Sequence, residues 1–368
     1  MFWAIIMYQG LTTFLFSPFC FAFIISLFAV FILERFARRV NFFDRPDGKL
    51  KVQKIPVACL GGAAILLVLV VMSGLINGCS SFAWLGADEQ SKLPSFLFAI
   101  VPFFLIGFFD DVFVFSPRLK FALQVIAAIF FLHLLGGLLF SFFKIFFWLF
   151  FILTVVNAFN LADVSDGLLG GICLPIFGFF WVYGIVFNFL IFSFLSQILL
   201  GAILGFLVFN WAPARMYLGD AGSLLLASAA LYFVFVSFLL PGTLVRFALA
   251  IFLLGVPLAE LAGLITIRTF LGLPIYMGSP HHFSIYLKQQ GLSSRHVAML
   301  AGSASTFLAL VTASVLYLAV PLLLAVIFLG ALFGWWCYFI YHPQKPLAKV
   351  FAFFQNSSFW THNSKKMQ

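Results

Sequence analysis

Long apolar runs without charged residues recur along the chain, and they decide what it can fold into. Each run approaches the ~20 residues that a helix needs to cross the hydrocarbon core of a bilayer. Only 8% of the residues are charged, whereas soluble domains average about 25%. We therefore predict an all-α polytopic membrane protein with about eleven transmembrane helices, which excludes secreted, cytosolic and nucleic-acid-binding proteins. The runs lie near residues 12–33, 57–77, 94–109, 119–136, 138–158, 171–190, 192–209, 223–240, 247–267, 298–318 and 321–341.

Basic residues are concentrated in alternate loops between these runs. The loops after the odd-numbered runs, together with the C-terminal tail, contain every Lys and Arg except Lys92, Lys144 and Arg246. The positive-inside rule then places these loops and the C-terminus in the cytoplasm, and the N-terminus outside. The net charge of +9 is accordingly interpreted as an insertion signal. We expect residues 1–341 to form a single transmembrane domain and residues 342–368 to form a short basic cytoplasmic tail.

Carboxylates at the ends of very apolar runs carry most of the functional information. An acidic side chain at membrane depth is costly, so by default it indicates a functional site. Five aspartates lie after the third, fifth and seventh runs, and the predicted topology places all of them on one membrane face. Taken singly, each aspartate also fits a helix cap or a solvated turn. The acids at run ends are Asp110, Asp111, Asp163, Asp166, Asp220 and Glu260.

The neighbours of these aspartates suit phosphate, a polar ring or a metal ion. The adjacent charges of Asp110 and Asp111 repel each other and normally need a cation beside them. Asp220 has glycines on both sides, which let the backbone approach a ligand such as phosphate. A third stretch, residues 157–167, contains Asn157, Asn160, Asp163 and Asp166, and the two aspartates share one face if it is helical. For Glu260, deep in the ninth run, we expect a structural or network role.

Cationic side chains complement the acids. His281 and His282 lie in the longest predicted cytoplasmic loop, and Lys49, Lys51 and Lys54 lie in the first. Paired imidazoles are good donors to anions, although an ordinary exposed loop explains them as well. The lysines fit either an anion contact or the positive-inside signal. Oxygen ligands without a matching cluster of His or Cys favour Mg²⁺ or Mn²⁺ over zinc.

Five sequence motifs follow one another in a characteristic order between residues 40 and 300. They are residues 44–56 with the following Gly61-Gly62, then 107–111, 157–167, 210–223 and 279–283. In this order the chain resembles the polytopic polyprenyl-phosphate sugar-1-phosphate transferases, the MraY/WecA type of glycosyltransferase family 4. The resemblance implies eleven transmembrane helices, a catalytic transmembrane domain in the bacterial cytoplasmic (inner) membrane, and an active site that faces the cytoplasm.

The resemblance also implies roles for individual residues. Asp110, Asp111 and Asp220 match the catalytic acids of the family, and Asp220 and Asp111 match the ligands of Mg²⁺, for which Mn²⁺ is the alternative. Three departures from the family pattern remove no acid: Gln53 stands where relatives often have His, Val164 stands where many have Gly, and the last loop holds only two adjacent histidines, with Ser284 and Tyr286 nearby. The positions associated with the substrates are Lys51, Asn157, Asn160, Asp163, Asp166, Asn210, His281 and His282.

The reaction implied by the resemblance is transfer of a sugar-1-phosphate from a UDP-sugar to undecaprenyl phosphate, with release of UMP. The end of the third run resembles the enzymes that start O-antigen and other envelope polysaccharides with N-acetylglucosamine-1-phosphate. The alternative within the family is the phospho-N-acetylmuramoyl-pentapeptide transferase of peptidoglycan synthesis. A cation-coupled secondary transporter, from another class, needs acids along a midplane pathway, where only Glu260 qualifies. The expected partners are the two substrates and membrane lipids, without nucleic acid, and a homodimer stays open.

Overall fold

The computed structural model describes residues 11–44, 56–78, 92–136, 141–238, 243–276 and 280–318, and isolated residues outside these ranges. The described chain is almost entirely helical, which confirms the predicted fold class. In chain order its elements are α1 (Leu11–Val40), β1 (Phe43–Asp44), β2 (Val57–Ala58), α2 (Gly61–Gly78), α3 (Lys92–Phe113), α4 (Pro117–Leu134), α5 (Phe142–Ala162), α6 (Leu168–Val186), α7 (Leu190–Asn210), α8 (Gly219–Phe238), α9 (Thr243–Leu253), α10 (Gly255–Phe270), α11 (Phe283–Gln289) and α12 (Ser294–Leu318).

The helices follow the predicted apolar runs closely. In the described part of the chain, 8 helices are long and apolar enough to cross a membrane, and the bent pair α9–α10 makes a ninth if it counts as one span. The shorter apolar helix α2 corresponds to the second run. The run near 321–341 and the tail at 342–368 lie outside the described ranges, so the number eleven stays a prediction. The chain is therefore a multi-pass membrane protein by its helices.

The ninth run is not the continuous helix that its hydropathy predicts. It breaks at Leu254, and the two segments α9 and α10 meet at an angle of 75°. Gly255 and Pro257 follow the break directly. Proline has no N–H for the hydrogen bond to the preceding turn, and its ring clashes with that turn, so a single straight helix is disfavoured here. The sequence contained this signal, which a reading based on apolar length alone overlooks.

A short two-stranded sheet is a further difference from the predicted structure, which contained only helices. Strands β1 and β2 pair antiparallel, and the backbone of Ala58 also bridges to Met216 in the loop between α7 and α8. Tyr217 N donates to Ala58 O at 2.7 Å, and Gly61 N donates to Tyr217 O at 3.0 Å. These backbone bonds fasten the first loop of the chain to the loop that leads into α8.

Helices α7 and α8 form the centre of the bundle. In each of them 83% of the most apolar stretch is buried, more than in any other described span. The most extensive helix contacts join α1 to α7 and α3 to α8. The outer surface is apolar as well, for example at Phe143 in α5 and Phe113 in α3, which are 83% and 66% exposed. An apolar exterior around a packed core is what lipid as a solvent requires.

Close approach of α3 to α8 depends on Gly107. A Cβ atom at this residue would collide with the carbonyl oxygen of Asp220 in the first turn of α8. Gly107 lies one helical turn before Asp110 and Asp111, so the contact brings the acids of both helices together. A small residue is therefore required at this crossing for a reason that hydropathy does not reveal.

Replacing Gly107 with alanine is expected to lower the free energy of unfolding by about 1–3 kcal/mol, because the added methyl group overpacks the α3–α8 contact. Gly74 in α2 provides the matched control, since a Cβ there meets no atom within 4 Å. Alanine at Gly74 is expected to leave stability unchanged or slightly higher. Thermal unfolding of both variants in detergent measures the difference, and equal midpoints would contradict the packing argument.

Candidate active site

The loops at one end of the bundle converge on a cluster of acidic residues. Backbone N–H groups at the start of α8 reach Asp111 at the end of α3. Lys288 in α11 donates to Ser165 in the turn after α5 at 3.2 Å. Arg295 at the start of α12 donates to the carbonyl oxygen of Ala212 at 2.6 Å. The loops that the sequence assigned to one membrane face therefore do meet at one end of the molecule.

The end of α3 is shaped by Asp110. Its Oδ1 atom accepts a hydrogen bond from Phe115 N at 2.7 Å, and its backbone carbonyl accepts one from Val114 N at 2.8 Å. These bonds close the turn that leads into α4. There Ser116 caps the new helix by accepting from Leu119 N at 3.3 Å, and proline occupies the first turn. This local structure places the side chain of Lys120 one turn into α4, facing back toward α3.

Lys120 links the acids of two helices. Its ammonium nitrogen lies 2.8 Å from Asp110 Oδ2 and also pairs with Asp220 Oδ2. Asn160 at the end of α5 completes the group, since its Nδ2 donates to Asp220 Oδ1 at 2.8 Å. The side chains of Lys120 and Asp110 are only 17% and 11% exposed, so their attraction is screened less by water than a surface pair would be. One cation thus holds two carboxylates that would otherwise repel each other.

Asp111 caps α8 from a different helix. Its two oxygens accept hydrogen bonds from Asp220 N and Ala221 N, each at 3.0 Å. Gly219, with a φ of 74°, makes the turn into α8, and a Cβ there would press against the Asp111 carboxylate. A carboxylate at a helix N-terminus is stabilised by unpaired N–H groups and by the helix dipole. The helix-cap interpretation, one of the two alternatives for Asp111, is therefore correct for its contacts.

Sequence reasoning overlooked Lys120 as a site residue. Lysines near the ends of apolar runs are expected from the positive-inside rule, and Lys120 was assigned to that signal. Its distinguishing feature is its place within the run, four residues after the capping residue Ser116. A cation one turn inside an apolar helix needs an anionic partner, and two acids end the preceding helix. That combination is the signal that points to Lys120.

The polar stretch after α5 is a turn and not a continuous helix. Asp163 is the C-terminal cap residue of α5, and Asp166 lies just before α6, with Asp166 Oδ2 accepting from Ala214 N at 3.1 Å. Burial raises the pKa of Asp163 well above its ordinary value, and the carboxylates of Asp220 and Asp111 raise that pKa further. The turn therefore brings Asp163 into the same electrostatic environment as the acids of α3 and α8.

The other two predicted substrate-binding asparagines also have contacts within the protein. Asn210 is buried, accepts from Gly167 N at 2.9 Å and donates to Met216 O at 2.8 Å, so it joins the turn after α5 to the loop before α8. Asn157 donates to Gln124 Oε1 at 3.1 Å and to the carbonyl of its own preceding turn. A direct role of either side chain in substrate binding stays a prediction.

The histidine pair lies at the start of α11. His282 Nδ1 is 2.8 Å from Glu260 Oε1, and both residues are buried. The Nδ1 atom of His281 is also buried, and no hydrogen-bond partner for it lies in the described part of the chain. The contact with His282 confirms the expected network role of Glu260. The predicted substrate residue Lys51 lies outside the described ranges.

Among the described residues, acids outnumber cations in this cluster. There Asp110, Asp111 and Asp220 face one cation, Lys120, near the α3–α8 crossing, and Asp163 adds a further acid. Within the described ranges, no group of three His, Cys, Asp or Glu side chains is arranged to hold a metal ion by itself. Mg²⁺ usually takes one or two protein carboxylates and completes its shell with water and substrate phosphate. The oxygen donors and the charge of this cluster fit such an ion.

Comparison with known proteins agrees with this arrangement. The family model described as glycosyl transferase family 4 matches residues 93–238. The chain is 30% identical over 236 residues to the phospho-N-acetylmuramoyl-pentapeptide-transferase of Oceanobacillus iheyensis, which covers 56% of this chain and 71% of that protein. The chain belongs to glycosyl transferase family 4. The matched residues run from the start of α3 through α8 and include the whole lysine–aspartate cluster.

Two other relatives carry a different name. The undecaprenyl-phosphate alpha-N-acetylglucosaminyl 1-phosphate transferase of Thermotoga maritima is 31% identical over 218 residues, 56% of this chain and 60% of that protein. The probable undecaprenyl-phosphate N-acetylglucosaminyl 1-phosphate transferase of Bacillus subtilis is 28% identical over 292 residues, 74% of this chain and 78% of that protein. The family members to which the chain is similar therefore include two named activities, and the match covers less than two thirds of the Thermotoga protein.

Replacing Asp163 with asparagine is expected to stabilise the protein in the absence of divalent cations. The raised pKa of Asp163 means that its charged form is disfavoured in the folded state. The wild type should therefore lose stability relative to the variant as pH rises above about 3.9, the ordinary pKa of aspartate, until the raised pKa is passed. Melting midpoints in a chelating buffer at a series of pH values measure this, and a variant that is less stable throughout would contradict it.

Proposed function

We propose that the protein transfers N-acetylglucosamine-1-phosphate from its UDP-sugar to undecaprenyl phosphate, releasing UMP, as the first step of an envelope polysaccharide. The observation that carries the proposal is the cluster in which Lys120 joins Asp110 and Asp220 at the ends of membrane helices. The names of the Thermotoga and Bacillus relatives support the same transferred group and acceptor. Both substrates are anionic, and they approach the site from water and from lipid, respectively.

The reaction is a phosphoryl transfer in which one P–O bond forms and another P–O bond breaks. An oxygen of the lipid phosphate attacks the phosphorus that bears the sugar, and the bond from that phosphorus to UMP breaks. Enzymes promote such a transfer mainly by positioning the reactants and stabilising charge. A site at the helix ends suits it, because the lipid phosphate lies at headgroup depth while its apolar tail stays in the bilayer.

The side chains of the cluster divide this work. Lys120 lies between two carboxylates, and its ammonium group is available to an incoming phosphate that displaces one of them. Asp110 or Asp111 would accept a proton from the acceptor: Asp110 is paired with the side-chain cation of Lys120, whereas Asp111 accepts two backbone N–H groups. Asn160 fixes the orientation of the Asp220 carboxylate. These residues position charge before the substrates arrive.

The proposed site also binds a divalent cation. Mg²⁺, or Mn²⁺ in its place, would be held by Asp220 and Asp111 and would supply charge neutralisation to the diphosphate of the donor. The turn with Asp163 and Asp166 would contact the nucleotide, and the histidine loop would contact the phosphate or the sugar. The positive-inside bias supports a site that faces the cytoplasm of a bacterium, in its inner membrane.

Transfer of phospho-N-acetylmuramoyl-pentapeptide is the second candidate, because several similar family members, including the Oceanobacillus protein, carry that name. A transporter is not favoured. Across the described ranges, the acids other than Glu260 lie at or near helix ends, and Glu260 itself contacts His282. The two transferase candidates differ only in the donor, so one assay with both donors distinguishes them.

Purified protein in detergent, given Mg²⁺ and undecaprenyl phosphate, is expected to release UMP and form a lipid-linked product with UDP-N-acetylglucosamine. Asp220→Asn serves as the inactive control. Product formed only with UDP-N-acetylmuramoyl-pentapeptide would support the second candidate function instead. Absence of UMP with a panel of UDP-sugars would refute the proposed function.

Replacing Lys120 with methionine is expected to lower the rate of transfer about 100-fold or more, because the cation that faces the developing charge is lost. Arg118→Met is the matched control, since Arg118 is an exposed cation two residues earlier on the same helix. The measurement is the steady-state rate of UMP release, with melting midpoints to confirm folding. Equal reductions in the rate of UMP release in the two variants would show that Lys120 contributes only its positive charge to this end of the helix and has no specific role in the cluster.

A further inference from the structure

Glu260 is a buried carboxylate with one close polar partner. It lies in the apolar helix α10 and is only 1% exposed. Its Oε1 atom lies 2.8 Å from His282 Nδ1, and its Oε2 atom accepts from Phe283 N at 3.5 Å. A buried carboxylate is costly unless its oxygens are paired. Both oxygens of Glu260 are directed to the same place, the first residues of α11.

This contact fixes which side of the His282 ring faces the protein. A carboxylate that accepts the Nδ1 proton sets the orientation of the imidazole and leaves Nε2 as the other functional nitrogen. Arg268, the other charged residue of α10, donates to the carbonyl oxygen of Ile275 at 2.6 Å. The neighbouring His281 has no such carboxylate on its buried Nδ1 atom within the described ranges. The two adjacent histidines are therefore held differently.

The pair also lies against the elements that carry the acidic cluster. Helix α10 packs on α5, and the last turn of α5 contains Asn160, which contacts Asp220. Helix α11 is tied to the turn after α5 by the hydrogen bond from Lys288 to Ser165. His282 therefore joins two helices, α10 and α11, which are themselves tied to α5 and to the turn that follows it.

Anchoring of the loop does not by itself explain a buried carboxylate and imidazole. The segment that follows His282 is already fastened by Lys288, which donates to Ser165, and by Arg295, which donates to Ala212 O. Replacing a buried ion pair with apolar residues of similar volume is often neutral or stabilising. An anchor alone would thus be served at least as well by apolar packing, whereas an oriented ring nitrogen requires the polar pair.

We propose that Glu260 is a positioning residue for the donor, acting through His282: it holds the Nδ1 side of the ring so that Nε2 contacts the sugar-diphosphate. This inference rests on the proposed function and deepens it by separating the two histidines. Glu260 itself does not touch the substrate. Its contribution is to the affinity for the UDP-sugar and not to the affinity for the lipid phosphate, which reaches the cluster from the bilayer.

The test uses His282→Asn, whose amide occupies the place of Nδ1 and can still donate to Glu260, but which has no atom at the place of Nε2. We expect this variant to raise the KM for the UDP-sugar about tenfold, the effect of losing one hydrogen bond of ~1.4 kcal/mol. The KM for undecaprenyl phosphate and the melting midpoint should stay near those of the wild type. His282→Gln, whose amide reaches toward the place of Nε2, should recover part of the donor affinity.

Glu260→Gln tests the coupling between the two residues. It should raise the donor KM in the wild-type background but change it less than about twofold in the His282→Asn background, because residues that act through one another are not additive. Ser305→Ala is the matched control. It removes a buried hydrogen bond of 2.8 Å from Ser305 to Ile172 O between α12 and α6, and it should leave both KM values unchanged.

The outcomes separate the inference from the function on which it rests. A wild-type donor KM in His282→Asn, equal rises in both KM values, or additive effects of the two substitutions would each overturn the positioning role. Wild-type protein that releases no UMP from any UDP-sugar would instead refute the proposed function, and with it the inference. A raised donor KM alone, with no further effect of Glu260→Gln on the His282→Asn background, supports it.

Discussion

The backbone contact between α3 and α8 at Gly107 determines the geometry of the entire acidic cluster. It brings the end of one helix and the start of another so close that Asp111 can cap α8 and Asp110 can share Lys120 with Asp220. The capping bonds in turn satisfy the first N–H groups of α8, which would be costly to leave unpaired in a membrane protein. Packing, capping and charge are therefore parts of one arrangement.

The sequence predicts the large features of the molecule because membranes restrict structure so strongly. Apolar length alone identifies the long helices that the structure describes, although it merges α9 with α10 and does not predict the short helix α11. Alternation of charged loops predicts that the aspartates near α3, α5 and α8 share one face, and the contacts of Asp111 with α8 and of Asp220 with Asn160 confirm that they meet. These inferences needed only the cost of polar groups in lipid.

The details that sequence reasoning missed depend on contacts between distant segments. The pairing of β1 with β2 and the bridge from Ala58 to Met216 need a register that no local pattern reveals. The break at Leu254 was visible in Gly255 and Pro257, but hydropathy averages over it. Lys120 was hidden by a competing explanation, since a basic residue near a helix end satisfies the topology rule whether or not it also pairs with acids.

The two sides of the site differ in how firmly they are built. Asp220 belongs to the first turn of one of the most buried helices, which has extensive apolar contact with the bundle. The histidine side rests on α11, a helix of 7 residues tied to the bundle by the hydrogen bond from Lys288 to Ser165 and by packing of Phe283 and Leu287 against the core. Under the proposed function, substitutions in α11 would change the contacts with the sugar and leave the acidic cluster unaltered. The proposed division of roles would also explain why relatives that are 31% and 30% identical to this chain over the aligned residues carry the names of two different transferred groups.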